Sequence, residues 1–362
     1  MSVIDPLARR YRRLLVAYPR AYRRERRAEL LGALLDAAPP GRTRPTPREA
    51  VDLIRAGLRA RLGRPASRTV VTWALLVGTI SGTFGAAFAT RAAWETAPPL
   101  PDGAEARAMA AEILPGQEFS GFEAPAAQFT MYGSPLSWDR VGELLWPDGG
   151  EYALSGIGGS IVGDPGLPVA ELAGLARRNL RAHGWTVYPT TTTSLDGCDG
   201  PDCPPAPYSV VVAARRGHTT FRLEMYSPDA LVSPSTSVAF QQATPAAVYP
   251  FGIGAGLLGA VVAFLVFGWA SRRTQRRATA DATAKVMLGV TLFLWWVPTA
   301  FALPAVAHHH AGEAHPSWHP MWEWLGQPSF SGVFVVGCGF ALAGLAVAVL
   351  AGRERVPVAA MR

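Results

Sequence analysis

The chain has 362 residues, of which 49% are hydrophobic and only 17% charged, with a net charge of +7 and a mean hydropathy of +0.15. Soluble domains carry about 25% charged residues, so this composition argues against a disordered chain or a coiled coil and points to a membrane protein. With three cysteines, a disulfide-dense scaffold is excluded.

Residues 1–69 read as three short amphipathic helices. Leu7, Tyr11, Leu14, Leu15 and Tyr18 recur at helical spacing, with arginines between them, and Pro19 ends the run. Leu30, Leu31, Leu34 and Leu35 form a second stripe, closed by Pro39-Pro40-Gly41. The third helix has a marked start: Thr46 caps, Pro47 suits the first turn and Glu49 completes a capping box. Val51, Ile54, Leu58 and Leu62 then share a face, and Gly63 and Pro65 stop the helix. Three helices of this size can share a small core. Their basic surface suits anionic lipid or an acidic protein partner. No recognition-helix signature stands out, so nucleic acid is not an expected partner.

The run Tyr11-Arg12-Arg13-Leu14-Leu15, Tyr18-Pro19-Arg20, Tyr22-Arg23-Arg24-Glu25-Arg26 and Glu29-Leu30-Leu31 resembles the basic helical segments that precede the membrane part of many uncharacterised, high-GC bacterial multi-pass proteins. Some of those are permease-like. The resemblance covers about 60 residues, carries no catalytic motif, and implies a bacterial plasma-membrane setting.

No charged residue lies between Arg68 and Arg91, Asp229 and Arg272, Lys285 and Glu313, or Glu323 and Arg353. Each gap holds an apolar run of about 20 residues, enough for a ~30 Å hydrocarbon core. The expected spans are 70–90, 249–270, 286–307 and 331–351. The first is expected to be an uncleaved anchor, because the charged segment before it is far longer than a signal n-region.

Between the first two spans lies an α+β domain, residues 91–248. A helix is expected near Ala104–Leu114. Val169, Leu172, Ala176 and Leu180 form the stripe of another, ended by Gly184. Trp185–Tyr188 and Ser209–Ala214 read as strands. Thr219–Tyr226 alternates, with Phe221, Leu223 and Met225 on one side and Arg222 and Glu224 on the other. Residues 227–247 read as a linker. Cys198 and Cys203 bracket a turn-rich loop and are expected to form a local disulfide.

A basic loop, 271–285, joins spans two and three. The following loop, 308–330, gathers His308, His309, His310, His315 and His319 within 12 residues. Such a cluster can bind a transition metal, respond to pH, or simply be a solvated loop. Trp318, Met321, Trp322, Trp324 and Leu325 suggest a short interfacial helix. Cys338 reads as a packing residue of the last span, and residues 352–362 form a tail. Small residues spaced four apart (Gly78, Gly82 and Ala86; Gly252 and Gly256; Gly337 and Ala341) suit close helix packing.

Arginine and lysine bias orients the chain. Segments 1–69, 271–285 and 352–362 hold 25 of the 34 basic residues but only 8 of the 27 acidic ones. Both termini are therefore expected in the cytoplasm, with domain 91–248 and the histidine loop outside. No Walker loop, Gly-x-Ser-x-Gly elbow or ionisable residue within a span is present, so the chain reads as non-enzymatic and no organic cofactor is expected. The first functional expectation is a sensor or scaffold, whose outer domain binds a ligand or partner and reports to the cytoplasmic helices. The alternative is a permease-like subunit with a separate ATPase. Its layout is similar to mechanotransmission-type ABC transporters, and loop 271–285 would be the docking site.

Overall fold

The computed structural model describes residues 6–64, 66–94, 96–123, 129–131, 152–154, 156–194, 208–227, 236–312 and 320–352. Most of these are helical. The chain divides into two compact units. One comprises Met1–Gly82, Gly256–Val297 and Phe334–Arg362; the other comprises Thr83–Ala255 and Pro298–Val333.

Among the described residues, four helices are long and apolar enough to cross a membrane: α4 (Arg68–Trp94), α7 (Val248–Thr274), α8 (Ala278–Gly312) and α10 (Gly332–Ala351). Helices α4, α7 and α8 contain the expected runs 70–90, 249–270 and 286–307 and extend them, while α10 starts one residue inside the expected 331–351. Helix α8 carries Pro298 and Pro304 in its interior; proline is tolerated in membrane helices, where neighbours can satisfy the freed carbonyls.

In the first unit, α1 (Pro6–Leu14), a 3-10 turn (Leu15–Ala17), α2 (Arg20–Asp36) and α3 (Pro47–Arg61) form the N-terminal module. The expected capping box is present: Glu49 N–H donates to Thr46 Oγ1 at 3.2 Å, and Thr46 N–H donates to Glu49 Oε2 at 3.1 Å. Leu7, Tyr11, Leu15 and Tyr18 are buried. The expected α3 face does not join this core. Val51, Ile54 and Leu58 are exposed, and only Leu62 of that stripe is buried. The cause is Gly57, on another side of the helix, where a Cβ would come within 2.8 Å of Ala17 and 2.9 Å of Tyr18. Arg61 fixes the approach by donating to Ala17 O at 2.5 Å and Val16 O at 2.8 Å. The apolar stripe is thereby turned outward.

Leu62 instead packs with Val70, Ala74, Phe264 and Phe267, and Ser271 Oγ donates to Leu62 O at 2.9 Å. Small residues set the spacing of α4 and α7. A Cβ on Gly82 would lie 3.0 Å from Gly256 O, and one on Gly259 would lie 2.8 Å from Ser81 O. Backbones this close leave no room for larger side chains.

Among the described residues, the second unit contains a seven-stranded antiparallel sheet. Its strands are β1 (Phe119–Glu123), β4 (Gly156–Ile161), β5 (Thr186–Val187), β6 (Thr191–Ser194), β7 (Tyr208–Arg216), β8 (Thr219–Tyr226) and β9 (Thr236–Gln242). The order is β1-β4-β9-β8-β7-β5, with β6 also paired to β7. Strands β2 (Phe129–Met131) and β3 (Tyr152–Leu154) pair separately. Helices α5 (Gly103–Ile113) and α6 (Val169–Ala182) share the core with one sheet face. Register lines up Phe221 with Phe240 and Leu223 with Val238 across β8 and β9. All four are 0–1% exposed, as period-two alternation requires.

Strand β9 corrects the linker expected over 227–247. Its polar Ser237, Gln241 and Gln242 masked the alternating Val238 and Phe240, which enter the core between β4 and β8. Strands β1 and β4 were also unread, because glycine is depleted in strands. Here Phe122 sits at positive φ (68°) at a register shift between Gly121 and Glu123. A Cβ on Gly159 would lie 2.6 Å from its ring. Gly159 therefore leaves the space that the buried Phe122 ring occupies.

A candidate ligand cavity among the long apolar helices

Within the first unit, α4, α7, α8 and α10 enclose a cavity of about 390 Å³. Its walls are apolar: Val70, Trp73 and Val77 from α4, Phe267 from α7, Trp295 from α8 and Leu345 from α10. Gly337 leaves room for the Trp295 indole, whose Nε1 a Cβ there would strike. Trp295 Nε1 donates to Phe334 O at 3.2 Å, and its ring stacks on Phe334. Thr291 Oγ1 lies 2.9 Å from Met287 O and 3.2 Å from Gly337 O, so its hydroxyl is used within the helices.

The polar lining gathers at one end. Asp281 receives Arg64 Nη2 on Oδ1 at 2.8 Å and Lys285 Nζ on Oδ2 at 2.7 Å. Ser271 and Thr274 lie beside them. Among the described lining residues, two cations share one carboxylate, which leaves an excess of positive charge at this end. Asp281 and Lys285 are one helical turn apart on α8, a spacing that places them on one face. Arg64 comes from the segment that joins the N-terminal module to α4. An apolar cavity with a few polar groups at one end suits an elongated amphiphile with an acidic head. Burial of such a tail would supply the affinity, and the cationic end would fix the direction of entry.

The residues singled out from the sequence lie elsewhere. His308, His309 and His310 belong to the final turns of the α8 backbone. His315, His319, Cys198 and Cys203 fall outside the described residues. Among the described residues, no group of three or more His, Cys, Asp or Glu is placed to hold a metal ion. Cys338 is half-buried in α10. The cavity itself went unread in the sequence. The available signal was the Asp281–Lys285 spacing at the start of an apolar run containing Thr291, Trp295 and Trp296.

In the second unit, the short helix α9 (Met321–Leu325) follows the histidine region. Trp322 Nε1 donates to Thr90 Oγ1 at 2.9 Å, and its ring meets Tyr249 edge-on. Trp324 and Glu323 are buried, so two of the tryptophans assigned to a membrane interface make protein contacts. Gly252 makes room for them: a Cβ there would lie 2.6 Å from the Trp322 indole.

Comparison with models of known protein families, with curated proteins and with solved structures gives no match to this chain.

Proposed function

We propose that the chain is a non-enzymatic, multi-pass plasma-membrane protein in which an extracytoplasmic α+β domain binds a ligand or partner and is coupled to a cytoplasmic three-helix module. Membrane lipid and a cytoplasmic protein are its proposed partners. The observation that carries the reading is the Arg64–Asp281–Lys285 cluster. The side chains that tie the end of the module to α8 also line the cavity, so module position and cavity occupancy share the same ion pairs. Strand β9 lies only five residues before α7, so strain in the sheet has a short covalent route into a membrane helix.

The permease-like alternative would dock its ATPase on loop 271–285. Only Gln275–Arg277 separate α7 from α8 there, and Ser271 and Asp281 already hold Leu62 and Arg64. That leaves little free loop for a partner.

The test uses the full-length protein in lipid nanodiscs and an antibody fragment raised against residues 156–194. Hydrogen exchange is followed over residues 47–64. The reading expects the fragment to change exchange there, and Asp281→Asn to abolish the change. Unaltered exchange in the wild type, with the fragment bound, would sink it. Reporter fusions at residues 60, 150, 278 and 315 test the orientation: 60 and 278 should report cytoplasm, 150 and 315 the outside. A stoichiometric ATPase purified with the native protein would favour the permease reading instead.

A further inference from the structure

Five arginines, Arg12, Arg20, Arg23, Arg24 and Arg27, line one open cleft of about 810 Å³ on α1 and α2. Ala28 and Leu31 also line it, and among the described residues no carboxylate contributes to it. Glu29, on the same helix, lies 3.9 Å from Arg26, outside the cleft. Arg23 Nε is buried and has no hydrogen-bond partner among the described residues. Arg61 adds to the local field. Burial and the nearby Arg23 both press its pKa below the usual arginine value, while its guanidinium is held by the carbonyls of Val16, Ala17 and Tyr18. Like charges converge here around an unsatisfied buried donor, which is the arrangement an anion would complete.

The chemistry of the donors narrows the anion. Guanidinium groups present paired N–H donors that match the oxygens of phosphate bidentately. A phosphate ester offers several acceptor oxygens to several arginines at once, whereas a carboxylate offers two. The cleft is large enough for more than one phosphate, and Ala28 and Leu31 add apolar lining for attached carbon. We propose that this cleft binds a phosphate-bearing anion, with Arg23 and Arg27 as principal ligands and Arg12, Arg20 and Arg24 closing around it. The source is either a lipid headgroup or a soluble phosphate ester. The inference stands apart from the sensing role, because it concerns the N-terminal module alone.

The test titrates pyrophosphate into the full chain in phosphatidylcholine nanodiscs by calorimetry. Saturable binding is expected, weakened about tenfold or more in the Arg23→Gln, Arg27→Gln double variant. The Arg9→Gln, Arg13→Gln variant, which removes two exposed arginines outside the cleft, should bind like the wild type. In phosphate-free buffer the cleft variant should melt no lower than the wild type, since it relieves repulsion. If it fails to fold, Arg20→Gln, Arg24→Gln at exposed positions takes its place. Repeating the titration with phosphatidic acid in the nanodisc separates the sources: lost pyrophosphate binding assigns the cleft to a lipid headgroup, and unchanged binding to a soluble ester. Absence of saturable binding together with no retention of phosphatidic acid overturns the proposal, as does equal binding by the wild type and the cleft variants.

Discussion

Trp94 and Glu323, 229 positions apart in sequence, meet through a 2.9 Å hydrogen bond from the indole Nε1 to a carboxylate oxygen. Both are buried, at 5% and 3% exposure. A buried carboxylate must be hydrogen-bonded to be tolerated. Together with Trp322 on Thr90, this bond fastens α9 to the end of α4. Glu323→Ala removes the acceptor of this buried bond, which should cost about 1–3 kcal/mol. Glu323→Gln keeps an acceptor and should cost less. Thermal unfolding in mild detergent compares them, and equal losses would assign the effect to packing rather than to the bond.

The aromatic centre of the sheet core depends on the strand that sequence reading missed. Phe240 lies 5.4 Å from Phe221, 6.3 Å from Trp185 and 6.4 Å from Phe122, between ring centroids. Phe240→Ala should destabilise the domain by about 3–5 kcal/mol. Tyr208→Ala, at a 39% exposed position, should cost far less. Limited proteolysis across residues 119–242 reads the difference; a Phe240→Ala protein as resistant as the wild type would remove β9 from the core.

Local signals explain which parts of this architecture were legible. The four long apolar helices announced themselves because about 20 uncharged apolar residues leave few other structures open. Strand β8 was legible because Phe221, Leu223 and Met225 alternate with Arg222 and Glu224. Thr46 and Glu49 gave the start of α3 for the same reason: a cap is made by residues three apart. Features that depend on distant residues were not legible. Gly159 reads as a strand breaker until Phe122 is seen beside it. Val51, Ile54 and Leu58 read as a core face, and nothing local reports that Gly57 makes the closer contact. The cavity end needs Arg64 and Asp281, 217 positions apart, to meet.

Close packing of α4 and α7 predicts sharply position-dependent glycine substitutions. A side chain at Gly259 meets the Ser81 carbonyl, a backbone atom that cannot swing aside. Gly259→Val should therefore cost about 1–3 kcal/mol through overpacking. Gly254, on the same helix, has open space around its Cβ position, and Gly254→Val should be near neutral. Detergent melting curves of the two variants decide it. A common effect would point to backbone entropy or composition rather than to helix contact.

Glu49 makes the N-terminal module sensitive to acid. The Arg42 guanidinium, the Thr46 backbone N–H and the Tyr11 hydroxyl all bond its carboxylate, and they hold its pKa down to about 2 from the ordinary 4.5. A depressed carboxylate pKa stabilises the folded state fully above the unfolded value, and that contribution is lost as pH falls through the folded one. The module should thus keep this contribution above about pH 4.5 and lose it progressively toward pH 2. Glu49→Gln removes the charged acceptor at every pH. The variant should be less stable than the wild type at pH 6, and the gap between them should close as the pH approaches 2. Hydrogen exchange over residues 46–61 of the full-length protein, corrected for intrinsic rates, measures that gap. A gap that stays constant from pH 6 to pH 2 would mean that the neutral cap, and not the carboxylate's charge, holds α3 to α1.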